Sequence, residues 1–143
     1  MLHLELITPD RVLFQGDIDS VSIPTPDGEI TVLPHHIPLI SIVKPGSILM
    51  RTGKEEQFFS VSRGVVEVNG TSLRILADTA ERVDELEEAA IAKAKESAEK
   101  LMQEKREDRE GFAEATAILD RELARLQTIR RHRSRTRTPH TGV

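Results

Sequence analysis

The chain has no cysteine, no tryptophan and no tyrosine, and only four phenylalanines. Without cysteine there is no disulfide, no thiolate metal site and no cysteine nucleophile, which fits a reducing compartment. Scarce aromatic rings argue against a large aromatic-lined ligand pocket and against a stacking platform for single-stranded nucleic acid. No run approaches the ~18 apolar residues of a membrane span. The N-terminus shows no basic-then-apolar signal pattern and opens directly on strand-like alternation, as in a soluble protein made in place. Gly-rich phosphate loops, nucleophile elbows and paired His/Glu helix motifs are missing too. A stand-alone enzyme is therefore not expected, and neither is a cofactor.

What is present is 143 residues with a formal net charge of −4. That length suits one or two small domains and buries roughly two-thirds of the unfolded surface. The charge is unevenly spread. Residues 1–82 carry seven Lys/Arg against eleven Asp/Glu, whereas residues 121–137 carry seven Arg against Glu122 alone. A basic end thus closes a mildly acidic protein.

The first half has a period of two. Leu2, Leu4 and Leu6 alternate with His3, Glu5 and Ile7, the pattern of a half-buried strand. Thr8-Pro9-Asp10, Pro26-Asp27-Gly28, Lys44-Pro45-Gly46, Gly53-Lys54 and Asn69-Gly70 punctuate further short apolar runs. Asn-Gly is a strong hairpin signal because both turn positions want positive φ. Short strands with turns at roughly 8–12-residue spacing predict an all-β sandwich or barrel, ending near residue 83.

The second half changes period. From Asp84 to about Lys105 there is no Gly or Pro, and Ala, Glu and Lys dominate. Asp84 with Glu87 resembles a capping box. Leu86, Ala90, Ala94, Ala98 and Leu101 share one face, and charged residues 105–111 ending in Gly111 read as a loop. Phe112, Ala115, Leu119, Leu123 and Leu126 mark a second amphipathic helix through residue 131. The pair predicts an antiparallel hairpin, thinly packed by alanine and therefore able to open. The tail 132–143, rich in Arg, Ser, Thr and Pro, reads as disordered.

Four blocks carry a family resemblance. Asp27-Gly28-Glu29-Ile30-Thr31-Val32-Leu33-Pro34-His35-His36-Ile37-Pro38-Leu39 is similar to a signature of the epsilon subunits of F-type ATP synthases, which runs Gly-Glu-apolar-Gly-apolar-x-Pro-Gly-His-x-Pro-Leu. Lys44-Pro45-Gly46, Ser62-Arg63-Gly64-Val65-Val66-Glu67-Val68 and Leu76-Ala77-Asp78-Thr79-Ala80 follow in the family's order and spacing. The resemblance spans residues 1–130. Thr31, His35 and Arg63 stand where the family commonly has Gly, a residue used where φ is positive or backbone must approach closely.

The resemblance implies a ten-stranded β-sandwich (residues 1–83), a regulatory two-helix hairpin (84–131) and no catalysis by this chain. It implies a place in the central stalk, binding the gamma subunit and resting on the c-ring of the membrane sector, with membrane association only through the complex. Asp27, Gly28, Glu29 and His36 are the implied ring and gamma contacts. Arg121, Arg125, Arg130 and Arg131 are the implied contacts with the alpha and beta subunits when the hairpin extends and blocks ATP hydrolysis. The implied location is the cytoplasmic face of a bacterial plasma membrane, with the stromal face of a thylakoid as the alternative. Some relatives bind ATP through Ile/Leu-Asp-x-x-Arg-Ala. Here Asp84 is kept but Glu87 replaces the arginine, so nucleotide binding is not expected.

Plainer readings stand beside these. Asp27-Gly28 is first of all a turn, and Glu29 a solvated acid. His35-His36 suggests a metal, but adjacent residues of a strand face opposite ways, so no metal site is expected. The arginines suit a helix C-terminus whatever else they do. Ile118-Leu119-Asp120-Arg121 imitates the nucleotide motif but lies in the second helix. The main alternative function is an adaptor that binds nucleic acid through its basic tail, although no nucleic acid is expected. A coiled-coil dimer would need longer apolar stripes.

Overall fold

The alternation of the first strand sets the architecture. Leu2, Leu4 and Leu6 are fully buried while His3, Glu5 and Ile7 between them are only partly so. A computed structural model describes residues 1–137. Ten strands come first: β1 (Leu2–Ile7), β2 (Val12–Ile18), β3 (Ser20–Thr25), β4 (Gly28–Val32), β5 (His36–Val43), β6 (Gly46–Thr52), β7 (Glu55–Val61), β8 (Gly64–Gly70), β9 (Ser72–Ala77) and β10 (Ala80–Arg82). A 3-10 turn (Val83–Glu85) leads to α1 (Glu88–Glu104) and α2 (Arg109–Arg137).

The strands form two five-stranded sheets, ordered β2-β1-β9-β8-β5 and β10-β7-β6-β3-β4. All pairings are antiparallel except β1 with β9. Their inner faces interdigitate as Leu2, Leu4, Leu6, Ile18, Ile23, Ile48, Phe59, Leu73 and Ile75. Phe14 meets Phe59 edge-on, centroids 6.5 Å apart, a favoured aromatic geometry. The sandwich and the following hairpin agree with the fold read from the sequence.

The turns refine that reading. Asn69 pairs with Ser72, so Gly70 and Thr71 form the loop, and Gly70 takes φ 65°. Of the three positions where Gly was replaced, only His35 adopts the left-handed region, at φ 67°. That conformation is uncommon for a residue with a Cβ. Arg63 avoids it, and the steric demand falls on Gly64 instead, where a Cβ would collide with the Leu76 carbonyl.

The helices begin and end elsewhere than the sequence suggests. Asp84 lies in the 3-10 turn, and Glu87 precedes α1 without a side-chain cap. The box residues are present, but the chain leaves the sheet through extended Leu86 before it coils. Ile91 and Ala98 form the buried face of α1, while Ala90 is exposed. The interhelix loop covers only residues 105–108, and Gly111 lies inside the first turn of α2. There the Lys105 and Asp108 side chains crowd the space a Cβ would take.

α2 packs against α1 on one side and β6 and β7 on the other. That double burial explains why its stripe is not the simple one predicted. Phe112 and Leu123 are 38% and 43% exposed, whereas Ala115, Glu122, Ala124, Leu126 and Thr128 are buried. α2 also continues past Arg131 to Arg137. Composition hides the reason: His132 stacks edge-on with Phe58, and Arg133 pairs with Glu88. The rest of the tail reading, 138–143, lies outside the described residues.

Under α2 the outer face of the second sheet is small and smooth. Ser22, Leu49 and Phe58 lie in one cross-strand row, with Ser47 and Ser60 paired beside it, and all five are buried. Leu49 and Phe58 supply the apolar part of the docking, about 1.5–3 kcal/mol each. Leu49→Ala is expected to cost about 2–4 kcal/mol. Hydrogen exchange should then show α2 amides losing protection while β1 and β8 keep theirs. Equal loss throughout would mean that helix and sandwich unfold as one unit.

Candidate functional site

Pro26-Asp27 closes the β3–β4 hairpin, with Thr25 paired to Gly28. Gly28 has φ 120°, which a side chain disfavours. Its carbonyl accepts a 2.6 Å hydrogen bond from Thr25 Oγ1. Asp27, Gly28 and Glu29 are thereby presented together at one end of the sandwich. His36 is not with them. The Lys44 N–H donates to the Pro24 carbonyl, so it is the far end of β5 that lies beside this turn. His36 begins β5, opposite Gly70, about 23 Å away along the strand at 3.3 Å per residue. Its Nδ1 donates to the Ile37 carbonyl at 2.7 Å.

Three of the four predicted cations of α2 face acids of their own chain. Arg131 forks onto Glu29, Nη1 to Oε2 at 2.9 Å and Nη2 to Oε1 at 3.2 Å. Its Nη1 also donates to Ser47 Oγ at 3.0 Å, and the guanidinium lies 5.9 Å from the Phe58 ring centroid. Arg125 forks onto Glu81, with Nε to Oε2 at 2.9 Å and Nη2 to Oε1. Arg125 Nη1 reaches Glu122 at 2.7 Å, and Arg121 Nε reaches the same oxygen at 3.3 Å. Arg135 approaches Glu56 at 3.6 Å. Arg130 points to solvent. The structure thus joins the two predicted sets at one point, Glu29 with Arg131.

Glu122 is the unusual member. It is 1% exposed, and Oε2 is the one buried side-chain oxygen among the described residues without a hydrogen-bond partner. Its compensation comes from Arg125 and Arg121. Hydrogen bonding to Glu81 and the nearby carboxylates raise the Arg125 pKa further, against the opposing effect of burial. Arg125 therefore stays charged at any ordinary pH.

These residues rim a cleft of ≈430 Å³ between the hairpin and the sandwich edge. Glu81, Glu85, Glu87 and Glu122 line it against Arg121 and Arg125. Asp84 is exposed and is not among the lining residues. Ile118, Asp120 and Arg121 line a separate cleft with Arg63 and Asp78. Among the described residues no group of three or more His, Cys, Asp or Glu is placed to hold a metal ion.

A further surface escaped the sequence reading. On the outer face of the first sheet, register aligns Ile42, Val65, Leu76, Ile7 and Val12 in one row across all five strands. Ile42 is 59% exposed, Val12 55%, Leu76 48% and Val65 44%. Ile40, two residues from Ile42, adds to the strip beside the charged row Glu67, Arg74 and Glu5. The signal was present in β5, whose apolar residues occupy both parities. A strand apolar on both faces is covered on both.

Arg125→Ala leaves Glu122 buried beside Arg121 alone. Removing one partner from a buried charge cluster costs about 3 kcal/mol. Thermal or urea unfolding followed by a probe on α2 should show that loss. A change below about 0.5 kcal/mol would mean that water already compensates Glu122.

Comparison with known proteins agrees with this architecture. Residues 1–83 match the family described as the ATP synthase Delta/Epsilon chain, beta-sandwich domain. The ATP synthase epsilon chain of Nitrosococcus oceani is 37% identical over 135 residues, covering 94% of this chain and 96% of its own. That of Chloroflexus aggregans is 38% identical over 136 residues, covering 95% and 97%. In fold, the chain is similar to a chain of the Euglena gracilis mitochondrial ATP synthase structure containing OSCP, F1 and the c-ring. The TM-score is 0.76 at 23% identity, over 86% of this chain and 78% of that one. A sandwich of this topology followed by this hairpin, with relatives matched along nearly their whole length, places the chain in the ATP synthase epsilon chain family.

Proposed function

We propose that this chain is a non-catalytic central-stalk subunit of a proton-translocating ATP synthase. In this reading the sandwich couples gamma to the c-ring, and the hairpin restrains ATP hydrolysis. The observation that carries the reading is the asymmetry of the sandwich. One outer face is covered by α2, and the other carries the uncovered row Ile42, Val65, Leu76, Ile7 and Val12. A contiguous apolar strip beside charged residues marks a protein contact, and gamma is the partner assigned to it. Among the described residues no helix is long and apolar enough to cross a membrane. Attachment to the cytoplasmic face of a bacterial plasma membrane is assigned to the complex.

The β3–β4 turn with Asp27, Gly28 and Glu29 is assigned to the ring. His36, at the other end of β5, is assigned to a separate subunit contact. In the restrained state α2 leaves the sandwich, and Arg121, Arg125, Arg130 and Arg131 meet acids of the alpha and beta subunits. That state wins only when new contacts outweigh the pairs with Glu81, Glu122 and Glu29. The cleft lined by Glu87 is assigned no nucleotide. Its four carboxylates repel phosphate, and Arg121 and Arg125 are already engaged by Glu122 and Glu81.

Ile42→Asp or Val65→Asp alters an exposed side chain and should change the chain's own stability by no more than about 0.5 kcal/mol. Either variant should nonetheless fail to co-purify with gamma, since a buried unpaired charge costs several kcal/mol. Normal recovery of gamma would remove the face from the account. Truncation after Val83 should raise ATP hydrolysis by the assembled enzyme while leaving coupled synthesis intact. An unchanged hydrolysis rate would refute the inhibitory role. Isothermal titration of the full chain should show no micromolar ATP affinity.

A further inference from the structure

Glu29 belongs to the turn assigned to the ring, yet both of its carboxylate oxygens are held by Arg131 near the end of α2. The fork is reinforced on the arginine side. Ser47 accepts from the same Nη1, the guanidinium lies over Phe58, and the next residue, His132, stacks edge-on against that ring at 5.6 Å. The acid side is left accessible. The Glu29 side chain is 45% exposed, while Arg131 is 25% exposed. A cationic group arriving from outside can therefore reach Glu29 without disturbing β4. It cannot form a second fork on the same carboxylate edge, because bidentate pairing uses both oxygens in one plane.

We propose that Glu29 is a shared acceptor, so that a basic partner at the β3–β4 turn and the docked end of α2 compete for it. Engagement of the turn frees Arg131 and lowers the hold on α2's last turns. Linkage makes the effect reciprocal: docking of the hairpin weakens the turn's grip on the basic partner by the same factor. The coupling is modest, since half-exposed pairs contribute little. About threefold is the scale expected. It acts as a bias on an equilibrium, with Arg125 and the Leu49–Phe58 contact supplying the rest of the hold. The basic partner is a cationic loop of the ring, so this inference rests on the assignment of Glu29 to the ring.

Two measurements on the full chain separate the possibilities. The first is hydrogen exchange at residues 131–135 in Glu29→Gln, Arg131→Gln and the double variant. Each single change should accelerate exchange about threefold, and the double variant should add nothing further. Additive effects would overturn the pairing. The second follows the same amides in the chain bound to gamma, with and without purified c-ring. Ring binding should accelerate exchange in the unmodified chain but not in Arg131→Gln. Binding without acceleration overturns the competition and leaves the ring contact standing. Binding that Glu29→Gln does not weaken overturns the ring assignment of Glu29 and the competition with it.

Discussion

The hairpin is held to the sandwich by arginines reaching down from α2 around a small apolar contact on Leu49 and Phe58. Arg125 reaches β10 and Arg131 reaches β4, the first helped by buried Glu122 and the second by Phe58. The apolar part of this interface is small, because the covered sheet face offers mainly serines around Leu49 and Phe58. α1 buries Ile91 and Ala98 and packs on α2, which makes a helix–helix contact of small area. A docking built this way is directional. Charges set the register of α2 on the sheet, and the apolar surface between them is small. The sandwich has its own continuous core of leucine, isoleucine, valine and phenylalanine, to which no helix residue belongs.

The two outer faces of the sandwich have correspondingly different duties. One carries α2 on a bed of small residues around Leu49 and Phe58. The other carries a permanent-looking apolar row flanked by the Glu5–Arg74 pair. Under the proposed function, with gamma on one face and a hairpin that leaves the other, such a division is what the role requires. The β3–β4 turn lies where the two duties meet, since Glu29 is both a presented acid and an anchor for α2.

Much of the sandwich was legible from period alone, because Leu2, Leu4 and Leu6 leave no choice of face, and turn chemistry placed the hairpins. The errors lay where tertiary contact overrides local signal. Asp84 and Glu87 look like a cap, but the chain is still leaving the sheet at Leu86. Gly111 looks like a stop, but a neighbouring lysine and aspartate fill its side. Residues 132–137 look unstructured, but Phe58 and Glu88 hold that turn. The partners of Arg125 and Arg131 lie 44 and 102 residues away. No local pattern reports such pairs, so the intrachain partners of Arg125 and Arg131 in the docked hairpin became visible only in the fold. The row on the first sheet was written in β5 and became visible only once register joined it to β8, β9, β1 and β2.

The central claim is that the docked hairpin is the permissive state. It is tested most directly by locking it. The chain has no cysteine, so Glu56→Cys with Arg135→Cys offers one unique pair for a short bifunctional maleimide, away from Glu29 and Arg125. In the assembled enzyme the crosslinked chain should hydrolyse ATP at the rate of the truncated one and still support synthesis, with the uncrosslinked variant showing the usual restraint. Full inhibition by the crosslinked chain would contradict the account, because restraint would then not require α2 to leave the sandwich.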